Sequence, residues 1–447
     1  MGSALGGEGA RYAGTRAANL RRSPEAAAQA LERRHLEAAE RMVETLGRMK
    51  GAAMKIGQLA SFIDTEFLPP EYRELYQEQL ASLRTSAPPM AWSKVRRVLD
   101  EEWDEPVDEL FASFDREASA AASIGQVHRA VLADGRPVAV KVQYPGVAEA
   151  IRADMQNAGL IMRMAKALAP GLDARAAAEE LKERVLEELD YELEAQNQRV
   201  FARAYRGHPF VHVPEVVTAL SNTRVLVSEW VDGVGFDEVV ARGQAERDRF
   251  GEIVFRFCFG SIYHLRHFNA DAHPGNYLLM EDGRVAFIDF GMTKRLAQDQ
   301  IELEVAALAA VFDDDPERLR IALHDLGFLR DPRKVDAEQL MRHVRTIGGW
   351  YMEDREVTVD SARVMDAIAA VSDPRSDFYR LVRRENLPAD ELMGRRMETG
   401  VLAVLAQLEA TRNWYRIGRE WWFGDAPATE LGEREREFFS ARRGGGV

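Results

Sequence analysis

Five polar side chains follow one another along the chain: Lys141, Glu194, Asp271, Asn276 and Asp289. Together they could act on a phosphate ester. Moving a terminal phosphoryl group is mostly positioning and charge neutralisation. It calls for a cation on the α- and β-phosphates and for carboxylate and amide oxygens on magnesium. Lys141 closes the run Val138-Ala139-Val140-Lys141 and supplies the cation. Glu194, in the helical stretch that follows, would pair with Lys141 and fix its direction. Asn276 and Asp289 offer the hard oxygen donors that Mg²⁺ takes. Asp271 is placed to orient or deprotonate a nucleophile. His273 is read as packing or hydrogen bonding, because magnesium prefers oxygen. Singly, each is ordinary: a lysine after alternating valines is usually a solvated strand residue.

The spacing makes the stronger argument. Asp271, four residues, Asn276 and then a hairpin ending in Asp289-Phe290-Gly291 reproduce the order of a protein-kinase-like catalytic core. Just before the Lys141 hairpin stands Ala120-Ala121-Ala122-Ser123-Ile124-Gly125, where an ordinary kinase has a glycine-rich loop. Each alanine adds a Cβ that restricts φ and keeps the backbone from phosphates, so Ala120, Ala121, Ala122 and Ser123 should handle a nucleotide differently. Glu229-Trp230-Val231 leaves a strand before the breaker Asp232-Gly233 and fits a hinge whose backbone, at Glu229 and Val231, would bond adenine. No Ala-Pro-Glu follows Asp289-Phe290-Gly291, so the usual platform for a protein substrate is not visible.

These side chains need elements to hold them. Val127, Val131, Val138, Val140 and Val142 alternate about Asp134-Gly135, a hairpin pattern. Residues 147–201 read as helix and 211–231 as β-rich. A short strand pair, 277–280 and 285–288, is joined by Glu281-Asp282-Gly283 within a mainly helical remainder. Ser23-Pro24 opens a helix that runs to about residue 54, and a second starts at Pro69-Pro70 and closes at Ala87-Pro88-Pro89. The expected fold is α+β, a protein-kinase-like bilobal arrangement with an N-terminal α-helical extension. Residues 1–22 are read as a flexible N-terminus, 23–110 as the extension, 111–232 as the N-lobe and 233–447 as a C-lobe with a helical C-terminal region.

With these residues in view, the chain resembles the UbiB family, also called the ADCK or AarF-domain atypical kinases, most specifically over residues 49–292. The alanine-rich loop, Lys55-Ile56-Gly57-Gln58 in the extension and Glu188-Leu189-Asp190 carry the resemblance. It implies an altered nucleotide preference and weak protein-kinase activity. It further implies that the Lys55, Gly57 and Gln58 signature folds over the active site and meets Glu188 and Asp190. In a straight helix Asp190 and Glu194 lie within about 40° of each other, whereas Glu188 faces the site only where the helix begins or bends. The implied cofactors are ATP or ADP with Mg²⁺. The implied role is in quinone (ubiquinone-type) biosynthesis or isoprenoid-lipid handling at a membrane surface, with quinone precursors or isoprenoid lipids as partners. Asn269 departs from the family, standing where bacterial relatives often have His, and the two C-terminal membrane-spanning helices of some members are not expected here. Two other readings stay open: a small-molecule phosphotransferase of the aminoglycoside or choline kinase type, and a nucleotide-gated, non-catalytic scaffold. The alanine-rich loop and Lys55 to Gln58 speak against the first, and the full set of catalytic positions against the second.

Composition bounds what remains. The 447 residues are 46% hydrophobic and 30% charged, values of a folded protein and not a disordered one. A net charge of −14 argues against a nucleic-acid partner. Cys258 is the one cysteine, which excludes an intramolecular disulfide and fits a reducing compartment. No run approaches the length of a spanning helix. The chain is therefore expected to be cytoplasmic, with any contact at the inner face of a membrane peripheral. Oligomeric state is not legible.

Overall fold

The computed structural model describes residues 90–122, 124–155, 183, 186–364 and 392–444. The flexible N-terminus expected at 1–22, the helices expected at 23–54 and from Pro69, and Ser123 lie outside them. The chain divides into two compact units, Met1–Pro88 with Gly146–Gln156, and Pro89–Pro145 with Asn157–Val447. Of the first, the described residues contribute one helix, Val147–Met155. The second holds all that follows.

Helix α1 (Trp92–Glu102) buries Val95, Val98 and Leu99, spaced three and four apart along one face. A short helix, α2 (Val107–Leu110), leads into β1 (Phe111–Phe114). Strands β2 (Ala120–Ala121), β3 (Gly125–Leu132), β4 (Pro137–Gln143) and β6 (Val225–Glu229) complete an antiparallel sheet of order β1-β3-β4-β6, with β2 on β3. The expected hairpin forms with Val127 opposite Lys141. Its turn is closed by Gly135 at φ 89° and by Arg136, whose backbone N–H donates to the Asp134 carboxylate at 3.1 Å. Side chains alternate across a strand. Burying Val138, Val140 and Val142 against Val95, Leu99, Val225 and Val227 therefore turns Lys141 to the other face of the sheet. Helices α1 and α2 fall in the stretch read as extension, yet they share this core. Their apolar stripes are covered by the sheet, so the compact unit starts at Pro89, ahead of the boundary expected at 110/111.

The helix expected to run through 147–201 is instead broken before Tyr191. The chain turns at Glu188-Leu189, and α4 (Tyr191–Tyr205) starts afresh with Asp190 as its cap; the label α3 belongs to Val147–Met155. Strand β5 (Val211–His212) joins β8 (Tyr277–Leu279) and β9 (Val285–Phe287) in a three-stranded sheet, while β7 (His267–Asn269) pairs with β10 (Thr293–Arg295). Between them run α5 (Phe236–Val240) and α6 (Gln244–Leu265), which is buried continuously from Phe250 to Ile262. On α6 pack α10 (Leu392–Leu408) and α11 (Trp414–Trp422), while α9 (Ala337–Met352) reaches it through Trp350 on Phe255 and α12 (Glu430–Gly444) through Glu435 on Arg256; α7 (Gln298–Phe312) and α8 (Pro316–Asp325) pack with α9. Two short strands, β11 (Val357–Thr358) and β12 (Thr411–Arg412), pair between them. An aromatic column, Phe201 on Phe290 at 5.0 Å and Phe257 stacked on Phe287 at 3.7 Å, ties α4 and α6 to the loop that carries Asp289. Among the described residues, no helix is long and apolar enough to cross a membrane.

Candidate active site

Lys141 leaves β4 on the face opposite the valine core and meets α4. Its ammonium donates to Glu194 Oε1 at 2.8 Å and Oε2 at 2.9 Å, and to Asp289 Oδ2 at 3.2 Å. The Nζ also lies 5.0 Å from the centre of the Tyr191 ring. Burial alone would drive the ammonium down. The Asp289 and Glu194 carboxylates reverse this and hold its pKa well above the ordinary lysine value, so it stays charged. The helix start explains the aim of Glu194: Asp190 accepts the Glu192 N–H at 3.0 Å and the Leu193 N–H at 3.4 Å, which sets the first turn of α4 and turns Glu194 inward. Asp190 thus sits just outside the helix, and the straight-helix geometry expected for Asp190 and Glu194 does not apply. Glu188 lies in the turn before it.

The alanine-rich loop is a narrow hairpin. Ala120 pairs with Val127 and Ala121 with Gln126, and the Ala122 N–H donates to the Gly125 carbonyl at 2.9 Å. Gly125 is obligatory here, because a Cβ would stand 2.1 Å from the Val142 carbonyl oxygen. At the far edge of the sheet, Glu229 closes β6 and its carboxylate lies 3.3 Å from His212 Nε2, while the Trp230 N–H donates to the Pro137 carbonyl at 3.1 Å. The chain then passes Val231, and Val234 and Leu279 exchange backbone hydrogen bonds that link this crossing to β8.

Asp271, Asn276 and Asp289 are laced together. Asn276 Nδ2 donates to Asp271 Oδ2 at 2.8 Å, leaving its amide oxygen outside that bond. Asn269, noted in the sequence only as a departure, makes two ties: its Nδ2 donates to the Asp289 carbonyl at 2.6 Å, and its Oδ1 accepts the Asp271 N–H at 2.8 Å. Asp289 Oδ1 accepts the Gly291 N–H at 3.0 Å. His273 caps the next turn by accepting the Gly275 N–H at 3.0 Å. The structure therefore joins Lys141 to Glu194 and Asp289, and Asp271 to Asn276, with Asn269 as the link. Two partners were not legible: Tyr191 beneath Lys141, and Arg396 of α10, whose guanidinium hydrogen-bonds Asp271 Oδ1. The second is 125 residues away from Asp271 and belongs to no motif. Lys55, Gly57 and Gln58 lie outside the described residues.

The donor chemistry suits a magnesium polyphosphate. Asp289 and Asn276 bring hard oxygens, and Lys141 brings a fixed cation. Among the described residues, no group of three or more His, Cys, Asp or Glu side chains could hold a metal ion.

A family model, ABC1 atypical kinase-like domain, matches residues 82–323. The chain is 34% identical over 292 residues to atypical kinase COQ8B, mitochondrial, of Rattus norvegicus, covering 65% of this chain and 54% of that protein. It is 33% identical to atypical kinase coq-8, mitochondrial, of Caenorhabditis elegans, covering 65% of this chain and 39% of that protein. The chain thus spans about half the length of these curated relatives, or less. A solved structure, the Rv3197–erythromycin complex from Mycobacterium tuberculosis, matches with a TM-score of 0.65 at 33% identity, over 90% of this chain and 99% of that one. The expected kinase-like, mixed α/β fold is the observed one. With more than half of its length inside the family model, the chain belongs to the ABC1 atypical kinase-like family, to which the UbiB-type motifs pointed.

Proposed function

We propose that this protein is an atypical kinase or ATPase acting on Mg-ATP or Mg-ADP. The observation that carries the reading is one partly buried lysine held by Glu194 and Asp289, tied through Asn269 to the Asp271–Asn276 pair. Lys141 holds the α- and β-phosphates. Glu194 keeps its ammonium in place. Asn276 and Asp289 hold magnesium, which when bound neutralises phosphate charge. Ala120, Ala121, Ala122 and Ser123 cover the nucleotide, and the backbone at Glu229 and Val231 meets the base. With ATP, Asp271 orients the acceptor oxygen. The bond from the γ-phosphorus to the bridging oxygen breaks as the bond to the acceptor oxygen forms, ADP leaves with the electron pair, and the acceptor's proton passes to Asp271 or water. Lys55, Gly57 and Gln58, with Glu188 and Asp190, limit access of a protein substrate.

The family connection favours a lipid-linked role, in quinone biosynthesis or isoprenoid-lipid handling at a membrane surface. Two measurements test the reading. Asp289→Asn should bind nucleotide in a folded protein but lose magnesium-dependent turnover by about 10²-fold or more; undiminished turnover sinks the assignment. The ATPase rate of the parent should rise with liposomes and phenolic quinone-precursor mimics. Magnesium-dependent binding without turnover under all these conditions would favour a nucleotide-gated scaffold.

A further inference from the structure

Asp271 is approached from the far end of the sequence. Helix α10 lies along the loop that carries it, and two residues one turn apart make the approach. At Gly400 the helix backbone comes so close that a Cβ there would stand 2.9 Å from both the Ala272 Cβ and the Ala272 carbonyl oxygen. Four residues earlier, on the same helical face, Arg396 reaches Asp271 Oδ1 while Asn276 holds Oδ2 at 2.8 Å. Their side chains are 18% and 25% exposed, so water screens the pair only in part. The other side of α10 is equally close-packed: a Cβ at Gly251 of α6 would stand 3.0 Å from a Leu405 methyl. Helix α10 is thus seated between α6 and the Asp271 loop.

We propose that Arg396 is a positioning residue for Asp271, and that α10 belongs to the catalytic machinery of this protein. The inference rests on the reading of Asp271 as the group that orients the acceptor. A carboxylate held by an amide on one oxygen and a guanidinium on the other has a fixed plane, so its lone pairs point one way when the acceptor arrives. A guanidinium carries five donors in a planar fork and does not lose its charge, which suits it to holding a carboxylate without taking its proton.

The test uses the full chain with Arg396→Gln, Arg396→Ala and Gly400→Ala. Amide exchange of the segment 269–276 should speed up by about tenfold or more in Arg396→Gln. In an Asp271→Asn background the same change should add little, because the partner is already gone. Turnover of Mg-ATP should fall by about 10²-fold at a KM within about twofold of the parent, and millimolar guanidinium should restore part of the rate to Arg396→Ala. Gly400→Ala, which keeps the arginine and displaces the helix, should reproduce a weaker form of both effects. Unchanged exchange and rate in Arg396→Gln, or equal losses with and without Asp271, overturn the proposal. Faster exchange in Arg396→Gln beside a parent that turns over no nucleotide overturns the assigned activity and leaves the positioning contact supported.

Discussion

Lys141 and Arg256 are both cations ringed by carboxylates, one partly buried and one fully buried, and the rings differ in how they are closed. Arg256 of α6 is 0% exposed, and all three of its guanidinium nitrogens are engaged. Nε donates to Glu252 at 2.9 Å, one terminal nitrogen to Glu420 at 2.9 Å and Glu435 at 2.8 Å, and the other to Glu420 at 2.9 Å and Thr429 at 3.0 Å. The Trp421 ring covers it at 5.7 Å. Lys141 keeps 15% of its side chain exposed, and its partner Asp289 keeps 31%. A sealed, saturated cluster pins α6 to α11 and α12. A half-open one, with a carboxylate at its mouth, has a cation that an arriving phosphate can share. Opposite charges in contact do not by themselves mark an active site; under the proposed function, the opening is what sets the Lys141 cluster apart.

This separation can be broken from either side. Arg256→Met leaves Glu420 and Glu435 buried without this cation, and Glu252 with Arg412 at 2.7 Å, and should cost about 3–5 kcal/mol of stability, read by urea unfolding, while nucleotide turnover per folded molecule holds. Lys141→Met should lower turnover by about 10²–10³-fold with a smaller change in unfolding midpoint, because, of its two carboxylate partners, only Glu194, 5% exposed, is left buried, while Asp289 keeps 31% of its side chain exposed. If the two variants exchanged these phenotypes, the exposure argument would fail. The next effect is smaller and depends on pH. Burial raises the Glu435 carboxyl to about 7 against the pull of Arg256, and Glu420 faces it with like charge; Trp421 Nε1 donates to it at 3.2 Å, and His264 Nε2 lies 3.8 Å away. The native state then keeps a proton that the unfolded chain has released. The stabilisation from this group is complete below about 4.5 and is lost as pH rises through about 7. Parent stability relative to Glu435→Gln should therefore fall by on the order of 2 kcal/mol between pH 5 and 8. Parallel pH curves for the two proteins would remove Glu435 from the account.

The two regions were unequally legible, for a physical reason. The cluster proposed for the nucleotide is written in short spacings, Asp271 to Asn276 and Asp289-Phe290-Gly291, because one loop and one hairpin must place those groups whatever the rest of the chain does. The hairpin around Asp134-Gly135 was likewise readable, since alternating valines and a glycine turn act locally. Arg256 reaches Glu420 and Glu435 across 164 and 179 residues, and Arg396 reaches Asp271 across 125. Such contacts are decided by how helices pack and leave no local pattern. The break before Tyr191 fell between these cases. The local signal was Asp190, a good N-cap residue, but the helical composition on both sides hid the turn.

Helix α12 supplies the smallest test, at the point where the two regions come nearest along one element. The Arg442 guanidinium donates to the carbonyls of Arg203 at 3.0 Å and Arg206 at 3.3 Å, at the last turn of α4, where helix carbonyls lack partners of their own. Beside it, Phe438 packs edge-on to His208 at 4.6 Å and Phe439 to Tyr205 at 5.9 Å. The same helix carries Glu194 near its other end, about 16 Å away at 1.5 Å per residue. Arg442→Ala should cost about 0.5–1 kcal/mol and speed amide exchange in the last turn of α4, with turnover within about twofold of the parent. The Lys141–Glu194 pair is set by the Asp190 cap at the start of α4, so fraying at its end should not reach it. A larger fall in turnover would mean that α4 moves as a rigid rod, and that the sealed C-terminal packing helps hold the nucleotide site after all.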